Sequence, residues 1–286
     1  MEKESKKSED RNLILFFVIT LAWTWICGFI PVILGITGTP IGTFIFYFGG
    51  GAPSVVGLFL VFLTYSKDQR KDYFKRCFSL KYMGLKWPLI VFLIFSVISI
   101  ICIYVGVNLL GFDMPGMDFI HAIVENPLML PVVILLSLVS GPLNEEFGWR
   151  GYSLDKLIVR FGFLKASLLL GFIWAIWHFA WYFTPGQAQY DLLQNSLFDA
   201  VMCVPSVMLL SVFVSFVYVK TKRSILAGAL VHMLSNLLGS QLLSPYTTDI
   251  GTFIRYVKLA FFIVIVLYTC FSAKFKREVA EQVAHM

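Results

Sequence analysis

Charge is what this sequence has least of. Only 14% of its 286 residues are Asp, Glu, Lys or Arg, 58% are hydrophobic, and the mean hydropathy is +0.79. A soluble domain carries about 25% charged residues and is roughly half apolar, so an ordinary soluble fold is excluded. The five cysteines (Cys27, Cys77, Cys102, Cys203, Cys270) share no metal-ligand spacing. Four of them lie inside apolar runs, which reads as buried thiols rather than a disulfide framework. A cleavable signal peptide is also missing, because the charged opening residues lead into an apolar run too long for an h-region. There is no internal repeat and no low-complexity segment. The net charge of +6 is not a nucleic-acid signature, since the basic residues fall in short clusters between apolar runs.

What is present is a series of long apolar stretches. Eight are read as membrane-spanning helices: 13–36, 41–65, 87–110, 128–156, 163–183, 196–219, 224–239 and 254–271. The expected fold is therefore all-α and polytopic. A charged, disordered tail (1–12) precedes one membrane domain (13–271), and a second charged tail (272–286) follows it. Gly49-Gly50-Gly51-Ala52-Pro53 is expected to kink the second span or to let a neighbour approach closely. Lys and Arg in successive non-spanning segments number four, zero, seven, zero, four, zero, three, zero and three. By the positive-inside rule this alternation puts both termini in the cytoplasm of a multi-pass protein, with the cell membrane as the expected location.

Charge breaks into the apolar pattern at Gly141-Pro-Leu-Asn-Glu145-Glu146-Phe-Gly-Trp-Arg150-Gly-Tyr152. A carboxylate in the bilayer centre costs about 3 kcal/mol or more, so two in a row need a partner or a purpose. On a helix, Arg150 shares a face with Glu146 and pairs with it, which leaves Glu145 free to act as a base. The plainer alternative for this stretch is a solvated cytoplasmic loop. Other polar groups inside spans are His178, and His232 with Asn236 one turn later on the same face. A lone intramembrane histidine or asparagine is often only a hydrogen-bonding link between helices. Counted from the nearest basic residue at about 1.5 Å per residue, however, Glu145, His178 and His232 reach one layer. Two carboxylates, two histidines, an asparagine and an arginine in one layer form a polar chamber, expected toward the cytoplasmic side.

Glutamate with histidine can activate water, and His232 with Asn236 can donate to an oxyanion, which together is what amide hydrolysis needs. Alternatively Glu145, His178 and His232 are candidate ligands of a catalytic zinc that keeps an open position for water. Both readings stay open at this point. Other intramembrane chemistries lack their motifs: there is no His-Glu-x-x-His and no Gly-x-Ser-x-Gly, and the spans hold a single aspartate, Asp199. Proton-coupled transport remains, since glutamates and histidines also build proton relays.

Three motifs carry a family resemblance. Glu145-Glu146-Phe-Gly-Trp-Arg150 resembles the Glu-Glu-x-x-x-Arg motif of the CAAX-protease and bacteriocin-processing family (CPBP, or Abi). Trp174-Ala-Ile-Trp-His178 is similar to its aromatic-x-x-x-His motif, with Trp where many members have Phe, and His232-Met-Leu-Ser-Asn236 matches His-x-x-x-Asn. The resemblance covers roughly residues 131–238. It implies an intramembrane endopeptidase acting on peptides or membrane-associated protein tails, with Glu145 as general base and His178 orienting the water. His232 and Asn236 are then the oxyanion site, supported by Glu146 and Arg150. The family is often described as metalloproteases. Its eukaryotic members trim prenylated tails, and its bacterial ones are associated with bacteriocin immunity, peptide processing and control of membrane sensors. The alternative function is a non-catalytic immunity or regulatory protein that binds a membrane partner through the same fold.

Overall fold

The computed structural model describes residues 2–238 and 247–284, and every regular element among them is helical. Six helices are long and apolar enough to cross a membrane: Lys7–Ile33, Lys86–Leu109, Met129–Phe161, Phe163–Phe183, Leu197–Lys220 and Asp249–Phe271. Pro40–Gly50 and Ala52–Thr64 form a seventh when counted as one span bent by 47°, and the shorter apolar helix Ile225–Asn236 stands in the expected eighth position. Its expected last residue, Gly239, lies outside the described residues. The layout therefore agrees with about eight membrane helices.

Polar N-caps start several of the helices. The Thr39, Ser66, Ser196, Ser224, Thr248 and Ser272 side chains each accept from a backbone N–H in the first turn that follows. Such a cap is worth about 1 kcal/mol. The first charged tail is helical rather than disordered. The first helix begins at Glu2 and runs unbroken into its span. Asp10 pairs with Arg160, and Leu13 and Phe16 are buried just beyond, so the polar turns are held against the bundle. After the last span, Ala273–Val283 is again helical, with Phe275 buried against Phe163 and Phe216. Lys220 pairs with Glu278 there.

The basic segments gather at one end of the bundle. Arg76 bonds both Asp72, at 2.9 Å, and Asp155, at 3.1 Å, and donates to the Tyr218 hydroxyl at 2.7 Å. Arg223 closes on Asp155 at 2.6 Å. Burial works against the Arg76 charge, but Tyr218 and Asp155 beside it hold its pKa above the ordinary arginine value. The turn between the Leu197–Lys220 and Ile225–Asn236 helices puts Lys222 and Arg223 at φ of 54° and 62°. Non-glycine residues pay about 1–2 kcal/mol each for that backbone, which the Arg223–Asp155 pair offsets.

Two breaks shape the centre. The glycine cluster bends the second span at Gly51, as expected. In the fourth span, regular helix stops at Val139, restarts at Pro142 and widens into a π-helical turn over Trp149–Leu154. The wide turn leaves carbonyls to outside donors: the Tyr73 hydroxyl donates to the Phe147 carbonyl at 2.8 Å. Ser54 likewise donates to the Leu143 carbonyl at 2.8 Å. These two spans touch backbone to backbone, because a Cβ on Gly148 would stand 2.1 Å from the Pro53 carbonyl oxygen. Gly148→Val is therefore expected to lower stability by about 1–3 kcal/mol or more, read as a fall in melting temperature of the detergent-solubilised protein. Gly50→Ala is the control, since a Cβ there meets nothing within 4 Å.

Candidate active site

The π-helical turn and the helix before it set Glu145, Glu146 and Arg150 in the core. Glu146 and Arg150 are wholly buried, and Glu145 is 6% exposed. Arg150 Nη1 donates to Glu146 Oε1 at 2.9 Å, and Arg150 Nη2 donates to the Ser211 hydroxyl at 3.1 Å. The same carboxylate oxygen receives the His232 Nδ1–H at 3.0 Å, across 86 residues of sequence. The Arg150 guanidinium also sits 4.8 Å from the centre of the Trp174 ring. Glu146 is thus the counter-ion of one group and the orienter of another.

Glu145 has no ion-pair partner among the described residues. Its Oε2 accepts the Trp174 indole N–H at 2.6 Å, which leaves Oε1 for water. Trp174 packs edge-on against His232, with ring centres 4.9 Å apart, and so joins the two histidine-bearing helices. His178 begins a 3-10 segment at the end of its helix and donates its Nδ1–H to the Trp174 carbonyl at 2.9 Å. Both histidines are therefore anchored through Nδ1. In the neutral ring Nε2 is then the unprotonated nitrogen.

Glu145, His178, His232 and Asn236 line one cavity of about 530 Å³, together with Trp174, Ser235, Arg255 and Lys258. The expected layer of polar groups is met. The rest of the lining comes from residues 186–192, from Cys203 to Leu210 and from Thr247, at the end of the bundle opposite the basic segments. Depth counted from basic residues locates the layer but says nothing of which side is filled. Packing decides that: from Ser211 to Val219, and from Trp149 to Asp155, every side chain toward the basic end is buried. The half-exposed stretch 202–210 faces the other way.

Glu145, His178 and His232 share this cavity, yet among the described residues no three His, Cys, Asp or Glu side chains are grouped closely enough to hold a metal ion. The arrangement does not fit the three-ligand zinc reading, and no step is derived through a metal. Sequence reasoning also missed several residues. The Glu146–His232 and Glu145–Trp174 bonds join separate helices, so spacing held no trace of them. Arg255 and Lys258 had a signal: both are cations inside the last apolar run, and such residues are costly and functional by default.

Fold and site define a polytopic helical membrane protein with a buried carboxylate–histidine cavity. A sequence model described as type II CAAX prenyl endopeptidase, Rce1-like, matches residues 127–238. The chain is also 28% identical over 228 residues to CAAX prenyl protease 2 of Methanococcus maripaludis, covering 79% of this chain and 83% of that protein. Both findings support the CAAX-protease (CPBP) family that the three motifs resemble, and with it a peptidase activity.

The geometry makes one stability prediction. Glu146→Ala leaves Arg150 as an uncompensated buried charge and is expected to cost about 3–5 kcal/mol, measured by thermal unfolding in detergent. Arg150 and Glu146 replaced together by Met and Leu should recover much of that loss, because no unpaired charge remains.

Proposed function

We propose that the protein is an intramembrane endopeptidase that hydrolyses peptide bonds with water activated by Glu145. The observation that carries this reading is the convergence of Glu145, His178, His232 and Asn236 on one cavity. Glu145 Oε1 accepts a proton from water while the water oxygen attacks the peptide carbonyl carbon. His178, through Nε2, accepts the water's second hydrogen bond and fixes its approach. The carbonyl oxygen becomes an oxyanion that takes hydrogen bonds from the Asn236 amide and from His232. His232 donates through Nε2–H as imidazolium, with the Glu146 carboxylate on Nδ1 as its counter-ion. Collapse breaks the C–N bond, and Glu145 returns its proton to the leaving amine. Water is consumed, and one carboxylic acid and one amine are released.

The substrate class follows from the relative whose name is CAAX prenyl protease 2: membrane-associated protein tails bearing a prenyl group are the first to test. Synthetic prenylated peptides are offered to purified wild type and to Glu145→Gln, each with and without a chelator. The expected outcome is cleavage by the wild type that the chelator leaves unchanged and that Glu145→Gln lowers by about a thousandfold or more. Cleavage abolished by the chelator assigns the water to a metal instead. Equal cleavage by both proteins removes Glu145 from the mechanism. No cleavage, with tight binding of a membrane partner, favours the non-catalytic immunity or regulatory reading.

The charge alternation further implies that the basic end is cytoplasmic, so that the cavity opens away from the cytoplasm. In protein with its native cysteines replaced, an exposed Gln194→Cys at the cavity end should label with an impermeant maleimide in intact cells. An exposed Lys222→Cys should label only after lysis. The reverse pattern inverts the orientation.

A further inference from the structure

Apart from Arg150, which is paired with Glu146, all but two of the 23 Lys and Arg residues fall at the basic end. The exceptions, Arg255 and Lys258, lie one turn apart on the Asp249–Phe271 helix, and both line the cavity. Each is only 7% exposed. Lys258 Nζ donates to the Ser235 carbonyl and hydroxyl, both at 3.0 Å, and rests 5.0 Å from the Phe95 ring centre. No carboxylate pairs with it among the described residues, and its third proton has no described acceptor. Arg255 gives one terminal nitrogen to Asp199, whose carboxylate also accepts from Tyr256 at 2.7 Å. Its Nε and other terminal nitrogen are buried without a hydrogen-bond partner among the described residues.

Buried cations with spare donors are costly unless an anion completes them. The acids in and around the cavity are not placed to do so here. Glu145 is bound to Trp174, and Asp199 is shared between Arg255 and Tyr256. Asp191 is exposed on the 186–192 segment. Ser235, which Lys258 holds, is the chain neighbour of Asn236, so this cation bonds to the turn that carries the proposed oxyanion donor. From there Arg255 continues the positive charge by about 4.5 Å toward the cavity end.

We propose that Lys258, with Arg255 behind it, binds the C-terminal carboxylate of the peptide on the leaving-group side of the scissile bond. A cavity of about 530 Å³ is the size that takes a small ligand or a few residues of chain. A chain passing through it has no anion to offer at a fixed place, whereas a chain that ends there has one. The subsite selects substrates cleaved close to their C-terminus and holds the short leaving peptide in place. It rests on the peptidase reading and deepens it.

The test uses pairs of synthetic prenylated peptides that differ only in ending with a carboxylate or a carboxamide. Wild type is expected to prefer the acid by about thirtyfold in kcat/KM, the size of one desolvated charge contact. Lys258→Met is expected to reduce that preference to about threefold or less, mainly through KM on the acid. Equal cleavage of acid and amide by wild type overturns the proposal, as does a full preference retained in folded Lys258→Met. The wild-type comparison needs no variant, so misfolding of Lys258→Met does not blunt it. The same peptide pairs are titrated onto Glu145→Gln by fluorescence anisotropy. If nothing is cleaved, a binding preference for the acid keeps the subsite and drops the peptidase reading, and no preference drops the subsite.

Discussion

The structure depends on how one buried carboxylate is satisfied. Glu146 is wholly buried, and a single oxygen of it accepts from Arg150 and from His232. In a low-dielectric interior neither the arginine nor the glutamate is tolerable alone. Each fixes the other, and Ser211 and the Trp174 face fix the arginine in turn. Four helical segments are thereby locked in register around one ionic centre. The adjacent Glu145 inherits a defined position without sharing that ionic partner, which is the condition for a carboxylate that remains available for chemistry.

Holding that centre in place requires irregular backbone, and irregular backbone inside a membrane needs outside partners. The π-helical turn after Gly148 and the bend at Gly51 face each other. Tyr73 and Ser54 supply the hydrogen bonds that regular helix would have made. Gly148 lets the Pro53 backbone come closer than any side chain would allow. The defects in the two spans are mutual, so neither span is positioned independently of the other.

The bundle is also divided along its axis. Its basic end is solid, tied by Asp155 to Arg76, Arg223 and Tyr218 and by the terminal helices to the loops above them. The other end holds the cavity. The polar layer sits at the boundary, with rigid packing on one side and open space on the other. This division lets the site be preorganised and still be reached by a chain. It also sets Lys258 in the cavity wall, bonded to Ser235.

The apolar runs, their lengths and the alternation of basic segments determined an all-helical membrane fold, because the bilayer imposes those lengths and charges so strongly. Three local motifs marked Glu145, His178, His232 and Asn236, because each motif sits on a single helix and spacing along a helix is a spatial statement. Contacts between helices were beyond such reasoning. Only the tertiary structure decided that Glu146 holds His232 as well as Arg150, and that Trp174 binds Glu145. The direction of the cavity was decided there too, since it depends on which side of a polar layer is packed and not on how deep that layer lies. The physical reason is common to all three: each is a relation between residues far apart in sequence, made only when separate helices come together around the buried charge.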